Sequence, residues 1–503
     1  MARFDDVDPS TPVVVGIGEI VHRPGPEFAP TSATALMIEA VLAAIAETGQ
    51  AEALGALVDE VLVPHGTWDE ANPGRAVAEA IGAPEARTVR SELGVLQHSL
   101  LARAASDVAS GRIVAAVVVG GENRWSGVVS GKEGTVVPSP PASAVNSEPD
   151  ESLVPKEMVI SQIEIERNLT TAANQYAIIE SAIRHRLGRT NDEHRTKLGE
   201  LWAQFAEVAA DAPSGWDQRS LSADEIAIVS DSNRLIAAPY PKWLVSQWNV
   251  DQAAALVVTT VATARRLGIA EEMWVFPLAM VESNFVLPMP ERADIDRWPA
   301  SEVCGAAVFE AAGVARDELD AADLYSCFPA AVQVQAREMG LASWLDDGRA
   351  LTVTGGMTFG GGPFNNYVVQ GAAAMVRVLR ERGPDSTGLT SAVSGLLTKP
   401  AVTIWSTGVP RRPFAALDVS VQAEAATVRL VVDPDLVGAA TIAGATVIAE
   451  RDGSLVTIAV VESADGLRSV AQSRDQVLAG AFLSEDPVGK GVNIISPGEF
   501  APA

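Results

Sequence analysis

Residues 354–367 read TGGMTFGGGPFNNY, a stretch with five glycines, one proline and two asparagines inside an otherwise regular alternation of apolar runs and helical segments. Glycine permits positive φ and lets backbone approach closely, so such a loop can turn N–H groups toward an oxyanion or a phosphate. The plain alternative is a tight crossover. Just upstream, residues 321–328 (AADLYSCF) form an apolar strand ending in Tyr325-Ser326-Cys327-Phe328-Pro329. Open α/β sheets place ligand crevices at the carboxyl ends of their strands. A tyrosine there can donate or accept a proton, and a cysteine held as thiolate is a nucleophile. Cysteine is also among the most buried residue types, and the inert reading is the favoured one for Cys327.

Working outward, residues 13–20 (VVVGIGEI) read as a buried strand and 32–49 as a helix behind a Ser/Thr start. A strand at 59–64, a helix at 95–110 and a strand at 113–119 ending in Gly120-Gly121 follow. This alternation predicts a mostly parallel sheet covered by helices. From 128 to 147 the composition shifts to Gly, Ser and Pro, and 155–230 read as amphipathic helices, an insertion. The α/β pattern resumes at 249–261 and 273–281, with a helix at 301–313. The helix, acidic linker and strand of 35–64 recur in pattern at 302–329, which predicts two similar halves. After Pro410-Arg411-Arg412-Pro413, β-branched runs at 427–432, 440–449 and 455–461 are separated by the turns Asp433-Pro434 and Arg451-Asp452-Gly453. The expected division is a first half at 1–125 and 231–272, an inserted helical unit at 126–230, a second half at 273–412 and a small β domain at 413–503.

Composition narrows the function. With 503 residues, 48% of them apolar and 20% charged, the chain can bury a large core in several packed units. Acidic residues outnumber Lys plus Arg by 64 to 37, and the formal charge of −27 repels a nucleic-acid backbone. The most basic stretch, Arg184–Arg195, is interrupted by acids and reads as a solvated helix face. Two cysteines exclude a disulfide framework, and no Cys/His spacing points to a metal site. The start MARFDDVDPS has no signal-peptide pattern and no apolar run approaches a bilayer span, so a cytoplasmic setting is expected. Gly16-x-Gly18 lacks the third glycine and following acid of a dinucleotide fingerprint. Of His22, His65, His98, His185 and His194, only His98, at the start of the 95–110 helix, lies near a plausible site.

Taken in order, VVVGIGEI, VVVGGEN (117–123), NVDQAAALVV (249–258), DLYSCF (323–328), GGMTFGGGP (355–363) and LLTKPAVTIWST (396–407) resemble the thiolase superfamily over residues 10–410. The nearest branch is that of the sterol-carrier-protein thiolases and the actinobacterial thiolase-like proteins of type 1. The resemblance implies two βαβαβαββ halves in five α/β/α/β/α layers with a helical insertion, and a nominal acetyl-CoA acetyltransferase activity in lipid metabolism. It also implies where the machinery should sit. The acylated cysteine falls in Glu92–Gln97, around Gly94 and Val95, where no cysteine stands. The Asn or His of the family's Asn-Glu-x-Phe or His-Asp-x-Phe motif becomes Tyr325. The histidine of Gly-His-Pro becomes Gly362, between Gly361 and Pro363, and the Cys-x-Gly motif falls near Leu397-Thr398-Lys399 without a cysteine.

Acyl-enzyme chemistry is therefore not expected. What the resemblance leaves is a pocket for CoA or an acyl-CoA, built from Gly361, Gly362, Pro363, Asn365, Asn366 and Lys399, with Tyr325, Cys327 and Tyr367 as the candidate catalytic members. No bound cofactor or metal is called for. Residues 413–503 resemble the OB-like barrels that serve some thiolase relatives as partner subunits, here fused, which leaves a monomer or a homodimer open. Three readings follow: a thiolase-like acyl-CoA protein without ordinary thiolase activity, a Tyr-assisted retro-aldol cleavage of a CoA thioester, and a non-catalytic acyl-CoA or lipid binder.

Overall fold

The computed structural model describes residues 3–450 and 452–503, so Arg451 of the expected 451–453 turn lies outside the described residues. Strands β1 (Pro12–Val21), β2 (Val58–Pro64), β3 (Arg87–Ser91), β4 (Ala115–Asn123), β5 (Glu151–Leu153) and β6 (Asp251–Thr260) form one sheet in the order β1-β6-β4-β2-β3-β5. β2 runs parallel to β3 and β4, and β3 parallel to β5, but β6 is antiparallel to both its neighbours. The sheet is thus mixed where a mostly parallel one was expected. The reason lies in the insertion: the chain leaves the carboxyl end of β4 and re-enters at that same end, opposing Asp251 to Asn123.

The second sheet contains β7 (Phe276–Glu282), β8 (Ala321–Asp323), β9 (Thr387–Ser394), β10 (Lys399–Ser406) and β11 (Ala415–Asp418), in the order β8-β9-β10-β7-β11. Here the chain past Pro413 first lends β11 to this sheet, parallel to β7. The barrel's own strands therefore begin later than the expected boundary at 413: β12 (Gly438–Ala449), β13 (Leu455–Ser463), β14 (Arg468–Ser473), β15 (Gly491–Ser496) and β16 (Glu499–Pro502) close as β12-β13-β14-β16-β15. The run at 427–432 contributes only isolated bridges, Arg429 to Arg292 and Val432 to Arg468.

Side-chain alternation shows why the strands read as unbroken apolar runs. In β4, Ala115, Val117 and Val119 face one buried cluster, while Ala116 and Val118 face another. In β6, Ala253, Ala255 and Val257 alternate in the same way with Ala254, Leu256 and Val258. A strand buried on both faces has no polar side to display. The cluster between the sheets is filled by α2 (His98–Ala109) and a long helix at Tyr367–Arg382, through Leu100, Ala104, Val369, Ala373 and Val376. Outside, α1 (Ala33–Ala46) covers the first sheet, and a helix at Pro299–Ala312 covers the second. Helix, sheet, helix, sheet and helix make the five layers.

Within the insertion, α3 (Ala172–Arg186) and α4 (Asn191–Asp211) are the main helices. Thr190 starts α4 with a capping box, its hydroxyl accepting from the Glu193 N–H while Glu193 reaches back to the Thr190 N–H. The barrel rests on α3, where the Ala445 N–H donates to Ser181 Oγ at 3.0 Å. With α5 (Pro299–Ala312), α6 (Pro329–Glu338) and α7 (Tyr367–Arg382), these carry the residues discussed below. Among the described residues no helix is long and apolar enough to cross a membrane.

Candidate functional site

The loop from β3 into α2 passes the position where the resemblance expects an acylated cysteine. Gly94 has φ +95°, and a Cβ there would meet the Pro155 ring at 3.2 Å. Its carbonyl accepts from Ser394 Oγ at 3.1 Å and from Lys399 Nζ, so the β9–β10 turn reaches across to fasten this loop. Lys399 is buried, and burial lowers its pKa against the pull of Glu282 and Glu157. On the near side, Glu92 accepts from Arg90 Nε at 2.9 Å and lies 2.7 Å from His65 Nδ1. Burial alone would raise the Glu92 carboxyl, but these two partners hold it below the ordinary carboxylate range.

His98 does not face open space. Its Nδ1 lies 3.1 Å from Glu282 Oε2 on β7 and its Nε2 lies 3.0 Å from Thr403 Oγ1 on β10. Ser99 Oγ and Asn284 Nδ2 donate to the same carboxylate at 2.7 and 3.0 Å. These bonds lock the start of α2 to the second sheet. Burial would lift the Glu282 pKa; the donors, His98 first, bring it below the usual value.

The glycine-rich loop is pressed against other backbone. Side chains at Gly355 and Gly356, both at positive φ, would run into Ala209 and the Phe205 ring of α4, and one at Gly361 would strike Gln252. Much of its donor capacity is used internally. The N–H groups of Gly355 and Gly356 donate to Thr352 Oγ1 at 3.0 Å each, Met357 N–H to Ser326 Oγ at 3.1 Å, and Gly362 N–H to the Gln247 carbonyl at 2.9 Å. Beneath it lies Asp323, whose carboxylate accepts from Thr352 Oγ1 and the Val353 N–H at 2.9 Å each and from Tyr367 OH at 3.2 Å. Burial raises the Asp323 pKa despite these donors. Tyr367 is fully buried, its hydroxyl also 2.9 Å from Thr354 Oγ1 and 3.2 Å from Ser326 Oγ.

Tyr325 differs. Its backbone is pinned by Ser391 Oγ and Gln335 Nε2, each at 2.8 Å, and its ring meets Tyr367 edge-on at 5.5 Å, yet its hydroxyl has no hydrogen-bond partner among the described residues. Burial, with the neighbouring Cys327 adding to it, lifts the phenol well above its ordinary pKa. Cys327 is buried and its thiol is pushed up to about 12 by that burial. Cys304 is buried on α5, with Sγ 3.8 Å from the Pro400 carbonyl, and burial raises it further still. Asn365 bridges Gln97 and the His65 carbonyl at 2.8 and 2.9 Å, whereas both amide atoms of buried Asn366 lack partners among the described residues.

Outside the loop the structure adds residues that the sequence reading did not single out. A cavity of about 430 Å³ is lined by Arg234, Lys242, Ser246, Gln247 and Trp248. It adjoins the site directly: Ser246 N–H donates to the Cys327 carbonyl at 3.2 Å, and Gln247 N–H to the Met357 carbonyl at 2.9 Å. Neither Arg234 nor Lys242 is ion-paired among the described residues, although Lys242 Nζ lies 4.6 Å from the Trp243 ring centre, and the Arg124 guanidinium stacks 4.0 Å from the Trp248 ring centre. The interleaved Lys242-Trp243 and Trp248 in residues 242–249 (KWLVSQWN) were the available signal.

No protein-family model matches the chain, and no curated protein does. Among solved structures it is similar to a monomeric SCP2-thiolase-like protein type 1 from Mycobacterium smegmatis, with 31% identity over 99% of this chain and 100% of that one and a TM-score of 0.82. It shares its fold with the Ltp2-ChsH2(DUF35) aldolase, at 21% identity over 80% of this chain and 99% of that one, TM-score 0.58. The dimeric peroxisomal thiolase of Saccharomyces cerevisiae is similar at 16% identity over 79% and 98%, TM-score 0.56.

Proposed function

Since the chain belongs to the thiolase superfamily, together with the SCP2-thiolase-like proteins of type 1, we propose that it binds a CoA thioester without forming an acyl-enzyme. One observation carries this reading. Where the resemblance expects two facing cysteines, the Gly94 carbonyl faces Ser394 and Lys399, and the hydrogen bonds between them knit the two loops together. The cysteines the chain does possess are buried and, with thiol pKa values raised by burial, remain protonated near neutral pH. Neither is a ready nucleophile.

The cavity beside the glycine-rich loop supports the ligand class. Arg234 and Lys242 have no ion-pair partner among the described residues and share the wall with one acid, Asp231; the excess of cations there, in a protein of formal charge −27, favours a phosphate-bearing ligand. Ser246 and Gln247 bond to the backbone of Cys327, Met357 and Gly362, so a ligand held at the cations would lie against the glycine-rich loop. In this reading the nominal acyltransferase fold is retained as a binding cleft, and the fused barrel takes the place of a partner subunit in a monomer.

Tyr325 favours a second, catalytic reading, a retro-aldol cleavage of a CoA thioester. Its hydroxyl is free while that of Tyr367 is committed to Asp323, Thr354 and Ser326. A phenol whose pKa is raised by burial stays protonated, so its role would be to donate a hydrogen bond or proton to a carbonyl oxygen. Isothermal titration of the full chain with CoA and acyl-CoAs tests the binding proposal. The expected Kd is below about 100 μM, roughly −5.5 kcal/mol, weakening at least about tenfold in an Arg234→Gln/Lys242→Gln variant. Absence of binding to every thioester overturns it.

A further inference from the structure

Next to that cleft, with the segment 234–236 as a shared wall, α3, α4, the hairpin of Leu235–Ala237 and Tyr240–Pro241, and the barrel line a cavity of about 350 Å³. Its wall is mostly apolar, with Leu235, Pro239, Val447, Phe482 and Leu483 among its members. Three polar atoms of wall residues have no partner among the described residues: Arg184 Nε, Asn191 Oδ1 and His194 Nδ1. Arg184 and His194 are only 7% and 1% exposed. Buried polar atoms are nearly always satisfied, so three orphans around one cavity mark a place where a ligand completes the bonding.

The surroundings specify what that ligand offers. His194 Nε2 lies 2.7 Å from Glu180 Oε1, and Glu180 also accepts from Gln333 Nε2 at 2.8 Å and Tyr240 OH at 2.7 Å. That carboxylate accepts from Nε2–H, and in the tautomer with its proton there Nδ1 is an acceptor. Asn191 spends its amide N–H on the Leu483 carbonyl at 3.0 Å, leaving Oδ1 as a second acceptor. The charges on the wall are already met: Arg184 by Asp486 at 2.6 Å, Arg195 by Asp192 at 2.8 Å, Glu180 by its donors. A cavity with apolar walls, paired charges, two open acceptors and the open Arg184 Nε–H selects an uncharged, mainly apolar molecule carrying a hydroxyl, which can donate and accept.

We propose that this cavity is a binding site for a neutral hydrophobic alcohol, held between the helical insertion and the fused barrel. The site needs both units, since Arg184, Asn191 and His194 come from the insertion and Val447, Phe482 and Leu483 from the barrel side. Its lining differs from that of the CoA cleft, although Leu235 here and Arg234 and Ile236 there belong to one stretch of chain.

Decanol titrated into the full-length protein by calorimetry is the test, with decyl methyl ether as the same chain without a donor. Decanol is expected to bind saturably at one site and about tenfold more tightly than the ether, the fold-change a lost hydrogen bond produces. Val229 and Leu483 line the mouth at 53% and 39% exposure, so Val229→Trp and Leu483→Trp block it with little burden on folding, and each is expected to weaken decanol at least about tenfold. His194→Gln keeps an N–H for Glu180 and moves the acceptor off the ring position, and should narrow the preference for alcohol over ether, with Asn191 Oδ1 still available. No saturable binding, equal affinity for alcohol and ether in the unaltered protein, or unchanged affinity in both tryptophan variants overturns the proposal.

Discussion

Glu122, at the end of β4, is fully buried and its pKa is pushed up to about 7, chiefly by desolvation. Thr67 opposes that shift, donating its backbone N–H and its hydroxyl to the two carboxylate oxygens at 2.9 and 2.6 Å. A folded-state pKa raised from the ordinary 4.5 means that between these two values the folded protein holds more protons than the unfolded one. Stability contributed by this group is therefore full below about pH 4.5 and falls as pH rises through about 7. At 1.36 kcal/mol per pH unit the difference amounts to at most about 3 kcal/mol. Glu122→Gln removes the titration while its amide can still accept from the Thr67 N–H and donate to the hydroxyl. We expect the variant to match the parent near pH 5 and to exceed it by about 1–3 kcal/mol at pH 8, read from urea midpoints at both values. Parallel stability curves for the two proteins across that range would refute the reasoning, because a purely packing effect of the substitution has no pH window.

Tyr367→Phe removes a hydroxyl bonded to a buried carboxylate and should cost about 1.5–3 kcal/mol, whereas Tyr325→Phe, whose hydroxyl bonds no described residue, should cost under about 1 kcal/mol; calorimetric melting of both variants checks the contrast. If the retro-aldol reading is correct, the order reverses for turnover, with Tyr325→Phe abolishing cleavage while folding is retained. Gly355→Ala places a methyl against Ala209 at a φ of +85°, and strain plus overpacking should destabilise the protein by about 2–5 kcal/mol in the same melts. A loss below about 0.5 kcal/mol would mean that the loop does not press on α4 as described.

Much of the fold could be read from the strands. The runs at 13–20, 59–64 and 113–119 appear as β1, β2 and β4 because two-sided burial leaves an unbroken apolar signature, and Ser32 caps α1 where the Ser/Thr start suggested it. The expected strand at 321–328 stops at Asp323 because that carboxylate turns under the glycine-rich loop to accept its hydroxyl and amide donors, a partnership across about thirty positions that no local pattern announces. The same limit explains the site. Glycine density at 354–362 signalled close approach, but its partners, Phe205, Ala209 and Gln252, lie far away in sequence. Lys399 was named for its place near a lost motif, and only the fold brings it to Gly94. Arg234 and Lys242 were passed over because two isolated cations in an acidic chain look like ordinary surface until the cavity unites them.

The central claim is that a CoA thioester is held here without acylating the protein. Intact-mass spectrometry after incubation with acetyl-CoA, alongside calorimetric binding of the same thioester, addresses it most directly. The account expects saturable binding with the protein mass unchanged, because Gly94 offers no nucleophile and both thiols are protonated in the interior. An acetyl group recovered on Cys304 or Cys327 at a rate that follows saturation of the cleft would contradict it.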